Sequence, residues 1–358
     1  MKTIFVFIGN SSFSGSDSKH STSAYTHHLI PEEISKKHPT VFIGGESIKK
    51  TSYQFRNLNI FHPFGFKSLK KYIFFDLFYF YQIKFYLWKL IKSHRVDKLI
   101  CTSYCSFIKR KFGLLHNEKY IVQFDDEFLD PLNNLAKLYD GQMCVNYSYF
   151  QLLKRIANLK PTFHSPVLLS NVFHKTNNIN KNRLRTTHNF CVIGNIDFQK
   201  FDLRILKCIA NEIVNSKISL YGTVIGGTNR FLLSNLVSDH ENITYHGEYI
   251  HNDTPAILSN YEFGLVPFVM NSRTMGAWPT KILEYLACGL HVFTPDFGFE
   301  SPIRKYLYFF RTVNDINEKI RILRSQTGPR SNPELQEVLN TYKVEHRTRE
   351  FLTYSNSL

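Results

Sequence analysis

The sequence has few of the short motifs that identify common classes of enzyme. The glycine-containing loops of its second half carry neither a GxGxxG fingerprint nor a Walker loop, so they predict no dinucleotide or ATP-hydrolysing site. The 6 cysteines are scattered without the paired spacing of a metal site. Cys101 and Cys105 lie close together in the chain, but no second pair follows them. We therefore predict free thiols in a reducing compartment.

Long uninterrupted apolar runs are also absent. The chain starts MKTIFVFIGN, with one lysine and an apolar run shorter than that of a signal peptide. We interpret this start as a buried strand and expect a cytoplasmic protein. Residues 72–91 are long enough to span a bilayer, but Asp76, Gln82, Lys84 and Lys89 interrupt them.

Acidic residues are scarce: 44 Lys and Arg stand against 29 Asp and Glu, a net charge of +15. Residues 1–170 hold 23 basic and 12 acidic residues, so this half carries +11 and the remainder +4. A basic surface in the first half favours either nucleic acid or an anionic membrane as its partner.

The aromatic segment 72–91 bears on the choice between nucleic acid and a membrane. A helix over these residues would be aromatic nearly all round and flanked by lysines. Two interpretations stay open: a buried helix with a solvated lysine face, and a helix lying in a membrane interface. Nucleic-acid binding predicts basic and aromatic residues spread over a sheet or groove, so we do not expect a nucleic-acid partner.

Short apolar strands alternate with helical patterns in both halves, which predicts an α/β fold with parallel sheets. The polar stretch 175–189 is the best candidate for a linker. The predicted strands are 3–8, 40–43, 98–102 and 120–124 in the first half, and 190–193, 217–221, 243–246, 263–269 and 291–294 in the second. The predicted divisions are 1–174, linker 175–189, 190–331 and a helical segment 332–358.

The stretch AWPTKILEYLACGLHVFTP, residues 277–295, predicts a helix followed by a strand. Pro279 suits the first helical turn, where Thr280 and Lys281 offer a hydroxyl and an ammonium beside free N–H groups. Glu284 follows one turn later on the same face, where a carboxylate could accept hydrogen bonds from a ribose diol. This pattern predicts a nucleotide diphosphate site, although a helix with a solvated lysine also accounts for it.

Other donor-site candidates come from the topology. Ligands of a doubly wound sheet lie beyond the carboxyl ends of its strands. Gly247 and Glu248 follow the strand 243–246, so we assign them to the same nucleotide site. An ordinary structural role is the alternative.

The segments EFGLVPF and PTKILEYLACGLHVFTPD resemble the donor-site signature of GT-B glycosyltransferases, in the family-4-like group that builds bacterial polysaccharides. The resemblance implies two doubly wound Rossmann-like domains facing a cleft. It also implies a UDP- or GDP-linked sugar donor in the second domain, an acceptor in the first, and catalysis without a metal or other cofactor. The chain departs from the commonest retaining pattern at Gly276, where many relatives carry a second glutamate.

A weaker similarity to xanthan-type glucuronosyltransferases implies a lipid-linked acceptor at the membrane. We therefore expect an enzyme that is peripheral at the inner face of the cell membrane and extends a lipid-linked oligosaccharide or a surface polysaccharide precursor. A non-catalytic GT-B partner subunit and a nucleic-acid-binding protein are the rival hypotheses.

An acidic cluster, Asp125-Asp126-Glu127, follows the predicted strand 120–124. An inverting transferase needs a general base for the acceptor hydroxyl, and a neighbouring acid raises the pKa of such a base. Asp126 is our candidate, with Asp125 second. A helix-capping cluster and the metal site of a one-domain GT-A enzyme are the alternatives.

The loop after the first strand contains Gly15, Ser16 and His20 among many hydroxyl side chains. The GT-B resemblance implies that this loop faces the cleft, where it would contact the acceptor. A plain surface loop is the alternative.

Overall fold

The computed structural model describes most of the chain in two compact units. The described residues are 3–8, 25–44, 51–55, 57–62, 73–92, 95–102, 119–124, 139–145, 147–156, 161–165, 167–175, 188–271, 274–275, 277–325 and 332–358. The first unit comprises described residues before Val167 together with Val344–Leu358, and the second comprises Val167–Lys343. Most of the predicted linker, residues 176–187, lies outside the described part of the chain.

The first unit is built on an eight-stranded sheet with the order β3-β4-β2-β1-β5-β6-β7-β8. Every described pairing in it is parallel except the hairpin of β3 and β4. Its strands are β1 Thr3–Ile8, β2 Thr40–Ile43, β3 Thr51–Phe55, β4 Leu58–His62, β5 Arg95–Thr102, β6 Lys119–Phe124, β7 Gly141–Cys144 and β8 Thr162–His164. Helices α1 Tyr25–Ser35, α2 Ile73–Ile91 and α3 Tyr147–Ile156 accompany these strands.

Helix α2 has one face in the core of the first unit. Tyr79, Phe80, Ile83 and Leu87 are buried against strand residues of the sheet. Tyr86 stacks on Phe61 with 4.0 Å between ring centroids. Among the described residues, no helix is both long enough and apolar enough to cross a membrane.

The second unit contains a six-stranded sheet whose described pairings are all parallel. Its order, β11-β10-β9-β12-β13-β14, is the 3-2-1-4-5-6 order of a doubly wound sheet. The strands are β9 His188–Ile193, β10 Ser216–Tyr221, β11 Ile243–Tyr245, β12 Phe263–Leu265, β13 His291–Thr294 and β14 Leu307–Phe309. Successive strands are added on one side of β9 up to β11 and on its other side from β12 onward. Doubly wound sheets bind ligands at this change of side, between β9 and β12.

Two helices of this unit are shorter than the sequence pattern predicts, at 203–212 and 254–258. Helix α4 begins after Asp202, whose carboxylate accepts a hydrogen bond from the Arg204 N–H at the N-cap. Strand β12 ends at Leu265, earlier than predicted, because Pro267 has no N–H for the ladder. The helices are α4 Leu203–Glu212, α5 Gly227–Asp239, α6 Thr254–Leu258, α7 Thr280–Ala287, α8 Val313–Ser325 and α9 Pro333–Asn340.

The last helix, α10 Val344–Ser357, returns to the first unit. Its Phe351 is fully buried and lies 6.2 Å from the Phe7 ring of β1. The Tyr354 hydroxyl accepts a hydrogen bond from the Gln142 N–H and donates to the Pro161 carbonyl, both at 2.7 Å. The segment predicted as one terminal piece, 332–358, is thus divided between the units, because only α10 carries these contacts.

Four described cysteines, Cys144, Cys191, Cys208 and Cys288, form no disulfide, and three of them are buried. This agrees with the thiols that the sequence predicts.

Candidate nucleotide-sugar site

A cavity of about 340 Å³ lies at the carboxyl edge of the second sheet, at the reversal point between β9 and β12. Three segments converge there: the turn after β9, the chain after β12 and the amino end of α7. The lining residues whose side chains carry charge or hydrogen-bonding groups are Asn195, Asp197, Lys200, Thr280, Lys281 and Tyr285. Apolar side chains of both strands form much of the remaining wall. The arrangement suits a ligand with an anionic group and an apolar body.

Lys281 stands in the first turn of α7 and is held by two partners. Its ammonium donates to the Tyr249 hydroxyl at 3.1 Å and to Glu284 Oε2 at 3.0 Å. The Lys281 side chain is 12% exposed and that of Glu284 only 4%. A buried charge pair with an added hydroxyl partner fixes the ammonium in one position on the cavity wall.

The surroundings keep Lys281 charged. Burial alone lowers the pKa of its ammonium, but the charge of Glu284 and the hydrogen bond to Tyr249 outweigh burial and leave the pKa raised. Burial raises the pKa of Tyr249, so its hydroxyl remains neutral at physiological pH. The cavity wall therefore presents a protonated ammonium, ion-paired with Glu284, beside the N–H groups of a helix start.

A buried histidine lies within the electrostatic reach of this pair. His251 is 1% exposed, and burial lowers its pKa, an effect that the charge of Glu284 partly opposes. Its ring packs edge-on against Phe173 at 5.9 Å. His251 is therefore neutral near pH 7 and leaves Lys281 as the cationic partner of Glu284.

Glycine makes the approach of backbone to the cavity possible. Gly194 has a φ of +132°, and a Cβ there would lie 3.4 Å from the Lys281 side chain. Gly264, in β12, would clash with the Tyr285 ring at 2.4 Å if it carried a Cβ. Tyr285 packs into that space, and its hydroxyl accepts a hydrogen bond from the Ile193 N–H at 2.9 Å. This contact fixes α7 against β9 and β12, the two strands that flank the cavity.

The predicted donor residues fall into three groups. Pro279, Thr280 and Lys281 line the cavity, although Pro279 precedes the helix and does not form its first turn. Glu284 does not line the cavity and lies behind Lys281. Gly247 and Glu248 do not line the cavity either. Whether any of them binds a donor stays a prediction.

Two residues at the site escaped the sequence analysis. Tyr249 follows the predicted pair Gly247-Glu248 directly, and it is the residue of that loop that contacts Lys281. Its aromatic ring in a loop that follows a predicted strand was the available signal. Lys200 lies in the turn after β9, six residues beyond the glycine at which the strand ends. Nothing in the local pattern separated it from a solvated lysine.

The other predicted site residues lie outside the described part of the chain. These are Asp125, Asp126 and Glu127 of the acidic cluster, Gly15, Ser16 and His20 of the first loop, and Gly276. Their assignments stay predictions. Within the described ranges, no three His, Cys, Asp or Glu side chains group closely enough to hold a metal ion.

Comparisons with known proteins identify the fold. No family model matches the chain, and no curated protein sequence matches it significantly. A sucrose-phosphate synthase from Thermosynechococcus elongatus is similar in structure with a TM-score of 0.67 at 12% identity, covering 100% of this chain and 97% of that one. A trehalose-6-phosphate protein from E. coli with bound UDP-2-fluoro glucose has a TM-score of 0.70 at 12% identity, covering 99% of both chains.

A lipopolysaccharide outer core galactosyltransferase, WaaB, is similar to the same extent, with a TM-score of 0.69, 12% identity and 99% of both chains covered. These structural neighbours are GT-B glycosyltransferases with two Rossmann-like domains. At such low identity the likeness defines the fold alone. The chain has the GT-B fold, which confirms the predicted fold class; membership of the family-4-like group stays a prediction.

Proposed function

We propose that the protein is a glycosyltransferase that takes a sugar from a nucleotide-sugar donor bound in the cavity beside α7. The observation that carries the proposal is the buried trio of Lys281, Glu284 and Tyr249, which fixes an ammonium at a helix start on the cavity wall. A diphosphate is the ligand group that such a site suits best.

In this proposal the cavity stabilises the leaving group. Breaking the bond between the sugar and the diphosphate leaves negative charge on the phosphate oxygens. Lys281, the Thr280 hydroxyl and the N–H groups at the start of α7 would meet that charge with preorganised donors. Lys200 lines the same cavity and would add a second positive charge, which the Asp197 carboxylate in the same lining partly opposes.

Glu284 has two roles in this proposal. Its carboxylate holds Lys281 in place through Oε2. Although the carboxylate lies behind Lys281 and is only 4% exposed, in this proposal Oε1 would accept a hydrogen bond from a ribose hydroxyl when a bound nucleotide reaches past the Lys281 side chain. The proposed donor is UDP- or GDP-linked, as the GT-B resemblance implies, and the described residues do not select between the two bases.

Asp126 is the proposed general base, with Asp125 as its substitute. It would take the proton of the acceptor hydroxyl as the new glycosidic bond forms, without a metal ion. This part of the proposal is based on the sequence alone.

The proposed acceptor is a lipid-linked oligosaccharide or a surface polysaccharide precursor, reached by peripheral association with the inner face of the cell membrane. The aromatic and basic segment of the first unit supports a lipid-linked acceptor. One structural neighbour is a lipopolysaccharide galactosyltransferase, whereas others are named for sucrose phosphate and trehalose phosphate. A soluble sugar phosphate is therefore the competing acceptor class.

A donor screen by thermal shift tests the proposal. Nucleotide sugars with UDP and GDP carriers, and the two free diphosphates, are added to the whole protein. A ligand at about 100 times its dissociation constant stabilises the fold by about 2.7 kcal/mol, which moves the melting temperature measurably. If no UDP- or GDP-linked compound raises the melting temperature at millimolar concentration, the proposal is wrong and a non-catalytic partner subunit becomes the better account.

A further inference from the structure

Helix α2 presents a second face that the core does not cover. Phe78, Tyr81, Phe85 and Trp88 repeat at intervals of three and four residues and form one stripe along the helix, the aromatic stripe. Their exposed fractions are 44%, 59%, 51% and 45%, although rings of this size are usually buried. The stripe is about 15 Å long, since each residue adds about 1.5 Å to a helix.

Lysines accompany the aromatic stripe. The Lys89 ammonium lies 4.6 Å from the centre of the Phe85 ring, and that of Lys92 lies 3.9 Å from the Trp88 ring. Lys84 lies on the same helix and is partly exposed. Residues 77–92 contain no Asp or Glu, so the described side chains of α2 carry positive charge alone.

We infer that the aromatic stripe is a docking surface for an anionic lipid bilayer. Phe, Tyr and Trp rings favour the headgroup region, where an apolar body meets a polar tip, and lysines beside them meet lipid phosphates. The opposite face of α2 is anchored in the core through Tyr79 and Ile83, so the helix would lie flat on the bilayer. The inference rests on the proposed function in one respect: a lipid-linked acceptor is the reason for the protein to bind a membrane.

Charge argues against a second copy of the chain on this surface. Two copies facing each other through the aromatic stripe would bring two positively charged faces together, because residues 77–92 contain no Asp or Glu to pair with Lys84, Lys89 and Lys92 across the contact, and like charges oppose association.

Ring geometry argues against nucleic acid. Phe85 and Trp88 stack on each other at 5.9 Å, and a lysine ammonium covers each ring. Proteins bind single-stranded nucleic acid by stacking its bases on free ring faces. Phe85 and Trp88 already contact each other and a lysine ammonium.

The chain contains its own probe for the experiment. It has 2 tryptophans, and Trp278 is 1% exposed whereas Trp88 is 45% exposed. The whole protein is mixed with vesicles of phosphatidylcholine, or of phosphatidylcholine and phosphatidylglycerol in equal parts, at low and high salt. We expect co-sedimentation with the anionic vesicles and a blue shift of tryptophan emission, both weakened by salt. Trp88→Phe should remove most of the blue shift and retain co-sedimentation.

Matched variants distinguish binding through the aromatic stripe from nonspecific hydrophobic adsorption and from the effect of net charge. The double variant Phe85→Ser and Trp88→Ser should bind anionic vesicles at least about tenfold more weakly, because two apolar rings are lost. Phe231→Ser is its control, since Phe231 is 66% exposed in α5 of the second unit. Lys89→Glu with Lys92→Glu should weaken binding to anionic vesicles by at least about fivefold for each lysine, because the attraction is lost and repulsion is added. The exposed pair Lys207→Glu with Lys217→Glu in the second unit should bind as the wild type does.

Four results would overturn the inference. They are a wild-type protein that ignores anionic vesicles at low salt, an equal loss in stripe and control variants, a dimer that the ring substitutions dissociate, and single-stranded RNA that displaces the vesicles. Vesicle binding is measured without a nucleotide sugar. Binding of vesicles without binding of a donor would therefore support this inference and contradict the proposed function. Binding of a donor without binding of vesicles would support the proposed function and contradict this inference.

Discussion

The amino end of α7 and the outer face of α2 both place lysines beside aromatic side chains, yet the two regions differ in burial. Lys281 is nearly enclosed, paired with Glu284 and hydrogen-bonded to the Tyr249 hydroxyl. Lys89 and Lys92 are exposed and lie over the rings of Phe85 and Trp88. An enclosed and paired lysine holds its charge at a fixed point, which suits one defined anion. Exposed lysines keep mobile charges near a surface, which suits many lipid headgroups.

The largest expected effect comes from breaking the enclosed pair. Glu284→Ala leaves the Lys281 ammonium buried without its carboxylate, so the free energy of unfolding should fall by about 3–5 kcal/mol. Urea denaturation measures this loss. Glu241→Ala, at an exposed position of the same unit, is the control and should change stability by less than about 0.5 kcal/mol. Equal losses in both variants would show that the burial of Lys281 does not distinguish it from a surface lysine.

A second substitution separates binding from turnover. Asp126→Asn keeps the size of the side chain and removes its basicity, so turnover should fall about 100-fold or more. The affinity for the donor should stay near that of the wild type, because the proposed donor contacts lie in the other unit. Steady-state kinetics with the donor found in the screen gives both quantities. If Asp126→Asn and Asp125→Asn both turn over normally, the acidic cluster is structural.

The role of Glu284 toward ribose can be isolated by a double cycle. Wild type and Glu284→Gln are each titrated with the ribonucleotide and with its 2′- and 3′-deoxy forms. A hydrogen bond to a carboxylate contributes about 1.5–3 kcal/mol, so the wild type should prefer the ribonucleotide by about tenfold or more. The preference should shrink in Glu284→Gln. An unchanged preference would assign the ribose contact to another residue.

The smallest expected effect is the response of the pair to alkaline pH. The pKa of Lys281 is raised in the folded protein, so its contribution to stability is complete below its ordinary value of 10.5. That contribution is lost as the pH rises through the folded-state pKa. The difference in unfolding free energy between wild type and Lys281→Met should therefore be constant at neutral pH and narrow above 10.5. A constant difference over the whole range would mean that the charge of Lys281 does not contribute.

The sequence predicted the parallel α/β architecture and the position of α7 because strand and helix patterns are local. It could not predict which face of α2 is buried. Tyr79 and Phe80 on one face are as aromatic as Phe78 and Tyr81 on the other, so polarity does not distinguish them. Packing against residues distant in the sequence, such as Phe61, determines which face is buried, and the local sequence pattern contains no information about such contacts.

The candidate site was predictable in outline and not in its contacts. Thr280 and Lys281 were found because a helix start is a local feature with known chemistry. Tyr249 precedes Lys281 by 32 residues, and their hydrogen bond depends on how β11 and α7 meet in space. The fit of Tyr285 against Gly264 likewise joins two elements that only the folded sheet brings together.

The measurement that tests the central claim most directly is calorimetric titration of UDP and GDP into wild type, Lys281→Ala and the exposed-lysine control Lys207→Ala. The account predicts that one diphosphate binds the wild type and Lys207→Ala equally, with one site per chain. It predicts about 10- to 100-fold weaker binding to Lys281→Ala, the loss of a charged hydrogen bond to phosphate. Equal affinity of all three proteins, or no binding of either diphosphate to the wild type, would contradict the account.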